Sequence, residues 1–215
     1  MAIETIKSRP RLTGDQRRAH IVQNAVELFS RKGFRGTTTR ELAMASGISE
    51  PVLYQHFETK RALYEAILEA KSSEYEPRLE EELRGLSESG DNRAYFAKVA
   101  NLLLDFYLND ARYVRLLMFS SLEGGELAEL FYDRHVTVFY QELTRHLKNQ
   151  MDQGVLRNDD PLVAARLFAG MIAHHGLIYA VYKPGELAAS RDEIVTSAID
   201  LFLNGLAVQG GRQCK

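Results

Sequence analysis

A short stretch near the N-terminus concentrates side chains that can hydrogen-bond to nucleic acid. Hydroxyl, guanidinium, imidazole and ammonium groups suit phosphate oxygens, while amide, carboxylate and apolar groups can read base edges. The residues of these types that we single out are Thr38, Thr39, Arg40, Ser49, Glu50, Val52, Tyr54, Gln55, His56 and Lys60. Together they predict recognition of double-stranded DNA, provided that the chain presents them on one surface.

No comparable grouping predicts catalysis or a bound metal. His174 and His175 are adjacent in the sequence, so a helix would point them about 100° apart and they would not easily chelate one ion. We find no nucleophile elbow, glycine-rich phosphate loop or metal-ligand spacing, and no dyad that includes His135 or His174. Cys214 is the single cysteine of the 215-residue chain, which favours a reducing compartment. We therefore predict neither an enzyme nor a cofactor.

The charge of the chain is divided unevenly. Residues 1–61 contain 11 basic and 6 acidic residues, a net charge of +5, whereas the remainder contains 16 basic and 23 acidic residues, a net charge of −7. A basic segment on an acidic body is suited to a polyanionic partner, although chance clustering of surface charges gives the same counts. The overall net charge of −2 does not exclude DNA binding.

The elements that must position these side chains are predicted to be helices. Apolar residues recur at helical spacing and no segment shows sustained alternation, so the predicted fold class is all-α. A first helix over 14–32 should end at Gly33, with Phe34 folding back on its last turn. A second helix opens at Thr38, where Glu41 three residues later completes a capping box.

The second and third helices form a predicted helix-turn-helix. Gly47 permits the turn between them, Ser49 can cap the third helix, and Leu53 and Phe57 point to the core. Thr59 can then cap a fourth helix. The third helix would present its outer face to the major groove.

These residues carry a family resemblance. The stretches 37–43, 45–49 and 52–60, followed by Leu63, resemble the DNA-binding signature of the TetR family of one-component transcriptional regulators, over about residues 14–65. The resemblance implies a dimer that binds operator DNA and releases it when a small molecule enters the C-terminal domain. It also implies that Tyr54, His56, Thr38 and Lys60 hold the phosphate backbone.

The chemistry of the third helix suggests which bases it can read. Gln55 can pair with adenine, Val52 can touch a thymine methyl, and Glu50 can accept from cytosine N4. Residues 49–57 contain no Lys or Arg, so the bidentate contact to guanine is lacking and Arg40 can supply a groove or phosphate contact instead. The basic arm 7–11 can follow the minor groove or serve only as a solubilising terminus.

The rest of the chain is predicted to form a larger helical domain. We expect a loop over 84–92 and helices over 93–109, 112–122, 126–153, 161–183 and 190–206. The predicted division is a DNA-binding unit over residues 1–61 and an effector-binding and dimerisation unit over 62–215.

Two sets of residues in the second unit are candidates for binding. The predicted pocket is apolar with a few polar tips, and core packing is the alternative for each of its members. It comprises Phe106, Tyr107, Tyr113, Leu117, Met118, Phe131, His135, Phe139, Met171, His174, His175 and Tyr179.

The last two helices are too apolar for one protomer face, so we predict a four-helix dimer interface, with simple core packing as the alternative. It comprises Phe168, Ile172, Gly176, Ile194, Ala198 and Phe202.

The sequence thus predicts a dimeric repressor that binds palindromic DNA and is released by an unidentified, largely apolar effector. Helix four is the expected lever, because Thr59 and Lys60 lie at its DNA end. A regulator without an effector is the alternative. No stretch reaches the ~18 uninterrupted apolar residues of a membrane span, so we expect a cytoplasmic protein without a membrane partner.

Overall fold

The computed structural model describes residues 12–72, 76–124 and 126–207. Within these residues the chain is helical, apart from one isolated bridge between Leu156 and Ala207, so the all-α prediction is confirmed. The helices are α1 (Gly14–Lys32), α2 (Thr39–Ala45), α3 (Glu50–His56), α4 (Lys60–Ser72), α5 (Glu76–Ser89), α6 (Asn92–Asn109), α7 (Ala111–Leu122), α8 (Glu126–Phe131), α9 (Thr137–Asp152), α10 (Pro161–Leu177) and α11 (Arg191–Leu206). The basic arm 7–11 and Cys214 lie outside the described residues.

Three of the first four helices, α1, α2 and α4, begin where capping side chains accept from their free N–H groups. Thr38 accepts from the backbone N–H of Glu41, whose carboxylate accepts from the Thr38 N–H in return. Lys32 and the Thr38 N–H, which both donate to Glu41, lower its pKa to about 2. Thr59 caps α4 through the Ala62 N–H at 3.0 Å. Ser49 occupies the N-cap position of α3, but its side chain makes no capping hydrogen bond, contrary to the prediction.

Two hydrophobic cores organise the chain. The first core is built from α1 to α4, with Ile21, Phe29 and Ile67 fully buried, and it also includes residues of α7. The second core is built from α6, α9, α10 and α11 around the rings of Phe96 and Phe168, whose centroids lie 4.7 Å apart. The residues of α4 pack in the first core.

The predicted loop over 84–92 is wrong, because α5 continues to Ser89. Leu83 and Leu86, one helical turn apart, pack against the second core, and this burial outweighs the poor helix propensity of the glycine and serines. A turn follows at Gly90, where φ is +73°.

A buried histidine joins α5, α6 and α9. The ring of His146 stacks on Tyr95 with centroids 3.6 Å apart, and its nitrogens lie 2.8 Å from Ser87 Oγ and 2.8 Å from Asn92 Oδ1. Asn92 Nδ2 donates to Gln150 Oε1, so Oδ1 accepts from the imidazole and the ring can satisfy both polar edges while neutral. Burial lowers the pKa of His146 to about 4.

Two helices predicted as continuous contain π-helical turns. The turns are Tyr132–Val136, between α8 and α9, and Ile178–Tyr182, at the end of α10. Pro184 has no N–H and cannot donate to the carbonyl of Ala180 four residues earlier. Arg115 Nη1 donates to that carbonyl instead, at 2.9 Å.

Helix α10 and its π-helical turn form the most apolar segment described. Among the described residues, Pro161–Tyr182 is long and apolar enough to cross a membrane by length and composition alone, a test that the core helices of soluble proteins also pass. One face of the segment packs inside the protein, since Ala165, Phe168 and Ile172 are fully buried.

Candidate nucleic-acid interface

Helix α3 is anchored by one face and exposed on the other. Leu53 and Phe57 are each 3% exposed in the first core, whereas Tyr54 is 47% exposed and Gln55 is also on the surface. Val52 and His56 are half-buried beside them. The outer face therefore presents a phenol and an amide, which can contact a phosphate and a base edge.

Two of the predicted contact residues bind each other. The hydroxyl of Thr39 donates to the carboxylate of Glu50 at 2.6 Å, which ties the start of α2 to the start of α3. Both side chains are half-buried. This bond holds the carboxylate of Glu50 against the start of α2, and the predicted contact of Glu50 with cytosine would compete with it.

Lys60 is also engaged within the protein. Its ammonium donates to the carbonyls of Phe34 at 2.5 Å and Thr37 at 2.8 Å, and it lies 4.1 Å from the centre of the Phe34 ring. Burial lowers the pKa of Lys60, and the nearby charge of Glu123 opposes that effect. One of the three N–H groups of the ammonium remains for a phosphate.

The other predicted contact residues stand on the surface around α2 and α3. Arg40 is exposed and makes no hydrogen bond or ion pair that we find with the described residues, and Ser49 is exposed without a capping bond. Thr38 is exposed as well, although its hydroxyl donates to Glu41. Arg40 and Ser49 are thus the most available of this group.

One residue that positions the interface gave no signal in the sequence. Arg18 Nη1 donates to the carbonyl of His56 at 2.6 Å, and its guanidinium lies 4.1 Å from the centre of the Phe57 ring. The bond satisfies a carbonyl at the end of α3 that has no intrahelical partner. Arg18 is 38 residues from His56 along the chain, so no local pattern relates them.

The predicted pocket residues divide among several packing environments. Tyr113 and Leu117 are buried in the first core, and Phe106 and Phe131 stack beside them with centroids 5.9 Å apart. The ring of His135 lies 5.3 Å from that of Phe131. The remaining seven are dispersed, with Tyr107 against Gly176, Phe139 and Met171 on the second core, and Met118, His174, His175 and Tyr179 in exposed or half-buried positions.

A cavity of about 410 Å³ lies elsewhere, between α5, α6 and α9. Its lining includes Arg84, Tyr95, Glu142, Arg145 and His146, and none of the predicted pocket residues. The sequence pattern of aromatic residues therefore did not locate this cavity, because most of its lining residues are polar or charged.

The predicted dimer residues lie inside their own protomer in this structure. Phe168, Ile172, Ile194, Ala198 and Phe202 are each at most 8% exposed, and all pack in the second core of their own protomer. Gly176 is also buried, and a Cβ there would lie 2.3 Å from Cγ of Tyr107. On α10 the residues are apolar on all sides, so periodicity did not distinguish the inner face of the helix from its outer face.

The described residues contain no group of three or more His, Cys, Asp or Glu side chains that could hold a metal ion.

The fold and the exposed face of α3 define a helix-turn-helix DNA-binding protein. Residues 21–67 match the profile described as "Bacterial regulatory proteins, tetR family", and residues 96–205 match "AefR-like transcriptional repressor, C-terminal domain". The second match covers more than half of the 215-residue chain. The chain belongs to the TetR family of bacterial transcriptional regulators.

Known proteins resemble the chain in sequence and in fold. The transcriptional activator FasR of Mycolicibacterium smegmatis is 33% identical over 107 residues, which is 50% of this chain and 48% of FasR. A TetR-family regulator from Mesorhizobium loti has the same fold, with a TM-score of 0.67 and 20% identity over 92% of this chain and all of that one. AibR, solved with isovaleryl coenzyme A and operator DNA, has a TM-score of 0.64 and 21% identity over 87% of this chain and 98% of AibR. FasR and the Mesorhizobium loti protein are transcriptional regulators, in agreement with the regulator predicted from the sequence.

We predict that Arg18 affects DNA binding through the position of α3. Arg18→Gln removes the bond to the His56 carbonyl, whereas Arg17→Gln removes the same charge from the adjacent residue, for which we find no such bond. Arg18→Gln should weaken binding to a DNA duplex about tenfold more than Arg17→Gln, the typical size of a lost charged hydrogen bond. Fluorescence anisotropy measures both affinities. Equal losses would show that Arg18 acts by charge alone.

Proposed function

We propose that the protein is a homodimeric, ligand-responsive repressor that binds palindromic operator DNA in the cytoplasm and is released by a small, largely apolar effector. The outer face of α3 carries the proposal, because Tyr54 and Gln55 are exposed while Leu53 and Phe57 hold the helix in place. The profile match to a repressor C-terminal domain favours repression.

The proposed DNA contacts follow from exposure and bonding. Gln55 and Val52 would face base edges, and Tyr54, Arg40 and Ser49 would contact phosphates. Thr38, His56 and Lys60 remain candidates for further phosphate contacts. Thr39 and Glu50 would act mainly through the bond that joins α2 to α3. The net charge of +5 over residues 1–61 supports attraction of this unit to DNA.

We further propose that the chain divides into a DNA-binding unit and an effector-binding, dimerising unit. Dimerisation would use the outer face of α10 and α11. The exposed positions Val163, Leu167, Gly170 and His174 follow one another at intervals of four, three and four residues on α10, which is one helix stripe. Leu167 is 63% exposed and Leu201 on α11 is 70% exposed. Covering this stripe with a second copy would remove these apolar side chains from water.

The effector is proposed to bind near the aromatic cluster of Phe106, Tyr113, Phe131 and His135, where α6, α7 and α8 meet. AibR was solved with isovaleryl coenzyme A, and an acyl chain of that size would suit an apolar site with a polar entrance. Acyl thioesters are therefore the first effector class to test.

Selection of DNA sites from a random pool at low salt tests the central proposal. We expect a palindromic site whose half-sites lie in major grooves about 34 Å apart. Gln55→Ala should weaken binding to that site by about 1–3 kcal/mol and relax the preference at one base in each half-site, whereas Tyr54→Phe should weaken all sequences alike. No enriched palindrome, or an unchanged base preference in Gln55→Ala, would contradict the proposal.

The revised dimer interface predicts the effect of a charge on α10. Leu167→Glu should convert the dimer to a monomer, because a carboxylate would be buried against an apolar surface. Leu122→Glu is the matched control, since Leu122 is 87% exposed at the end of α7. Sedimentation velocity at micromolar concentration measures the outcome. A Leu167→Glu protein that remains dimeric would place the interface elsewhere.

Thermal unfolding tests the effector class. Isovaleryl coenzyme A at a hundred times its dissociation constant should stabilise the folded protein by about 2.7 kcal/mol. Free coenzyme A at the same concentration should stabilise the protein less. Phe131→Ala should reduce the difference between the two ligands, because the acyl chain would lose its apolar contact. Equal stabilisation by the two ligands would argue against an acyl site.

A further inference from the structure

The turn between α1 and α2 is held from two sides by charged residues of other helices. The ammonium of Lys60, on α4, donates to the carbonyls of Phe34 and Thr37. On the other side the carboxylate of Glu123 accepts from the backbone N–H groups of Phe34 at 3.1 Å and Arg35 at 3.2 Å. Glu123 is the C-cap residue of α7 and lies 89 residues beyond Phe34 in the chain.

The turn is shaped to admit this carboxylate. Gly33 has φ of +72°, and a Cβ there would lie 2.3 Å from Oε1 of Glu123. The backbone conformation therefore favours glycine, and a side chain at this position would displace the carboxylate of Glu123. Hydrogen bonds between a carboxylate and backbone N–H groups are among the stronger ones in proteins, and a shift of about 1 Å would break them.

Helix α7, which ends at Glu123, is also bonded to the end of α10. Arg115, two turns before Glu123 on α7, donates to the Ala180 carbonyl in the π-helical turn after α10. Tyr64 of α4 donates to the carbonyl of Leu116 at 3.3 Å, and Arg112 pairs with Glu27 of α1. α7 thus has polar bonds to the end of α10, to α1 and to α4. Helices α1 and α4 pack in the same core as α2 and α3.

We propose that Glu123 is a positioning residue for DNA binding, and that α7 links the π-helical end of α10 to the turn that precedes α2. A displacement of α7 moves the carboxylate, the carboxylate moves the N–H groups of residues 34 and 35, and α2 and α3 follow because the turn leads directly into α2. This assigns to α7 the lever role expected of helix four. The link to DNA rests on the proposed function.

Amide hydrogen exchange of the full chain without DNA tests the link. In Glu123→Gln the amides of Phe34 and Arg35 should exchange about 10- to 100-fold faster, as expected for the loss of a hydrogen bond to a charged group. The amides of Lys183 and Gly185, in the turn after α10, should also change. The control Glu129→Gln alters an exposed acid on α8 for which we find no bond, and it should match the wild type at all four amides.

Arg115→Gln tests the link from the other end. It should speed exchange at Lys183 and Gly185 and also at Phe34 and Arg35, because coupling between two sites is reciprocal. If Arg115→Gln acts only on its own end and Glu123→Gln only on its own end, α7 carries no coupling and the proposal is wrong. Unchanged Phe34 and Arg35 amides in Glu123→Gln would remove the carboxylate from the proposal altogether.

A final arm measures binding to the duplex obtained by site selection. Glu123→Gln should weaken that binding about tenfold with little change in base preference, whereas Glu129→Gln should bind as the wild type does. Wild-type affinity in Glu123→Gln would overturn the positioning role. Failure to select any site would count against the proposed function alone, since the exchange measurements decide on the α7 link without DNA.

Discussion

The DNA-binding helices depend on apolar contacts with α7. Tyr113, Leu116 and Leu117 are each at most 4% exposed and complete the core that α1 to α4 begin. A unit of some 60 residues buries a smaller fraction of its surface than a larger domain does, and its stability is correspondingly marginal. The helices α1 to α4 are therefore stabilised by α7, which packs in the same core.

Packing in this shared core determines where the polar side chains at its edge lie. Apolar packing fixes the separation of α1 and α7, and the Glu123 carboxylate can then meet two N–H groups of the turn before α2. Lys60 holds the carbonyls of the same turn. The turn is thus bonded through its donors and its acceptors, which restrains the path of the chain into α2. Arg18 performs a similar task at the far end of α3.

Local sequence signals located most elements but not every role within them. The sequence predicts the capping box of Thr38 and Glu41 and the glycine turn at Gly47, because each depends on residues close together in the chain. The glycines, serines and aspartate of 84–92 predict a loop, yet packing of Leu83 and Leu86 keeps the chain helical as far as Ser89. The family resemblance predicts a DNA contact for Lys60 and the chemistry of the side chain predicts one for Glu50, and the structure shows that each has a partner inside the protein.

By itself the sequence determined the all-α class, the helix-turn-helix and the family, because helical periodicity, caps and a short motif are local properties. Only the tertiary structure decided which side of α10 faces inward, since a helix that is apolar all round carries no periodic signal of its orientation. It alone also brought Glu123 to the turn after α1 and Arg18 to the end of α3. Those contacts join residues 89 and 38 positions apart, and such distances are closed by the packing of whole helices rather than by any pattern within one of them.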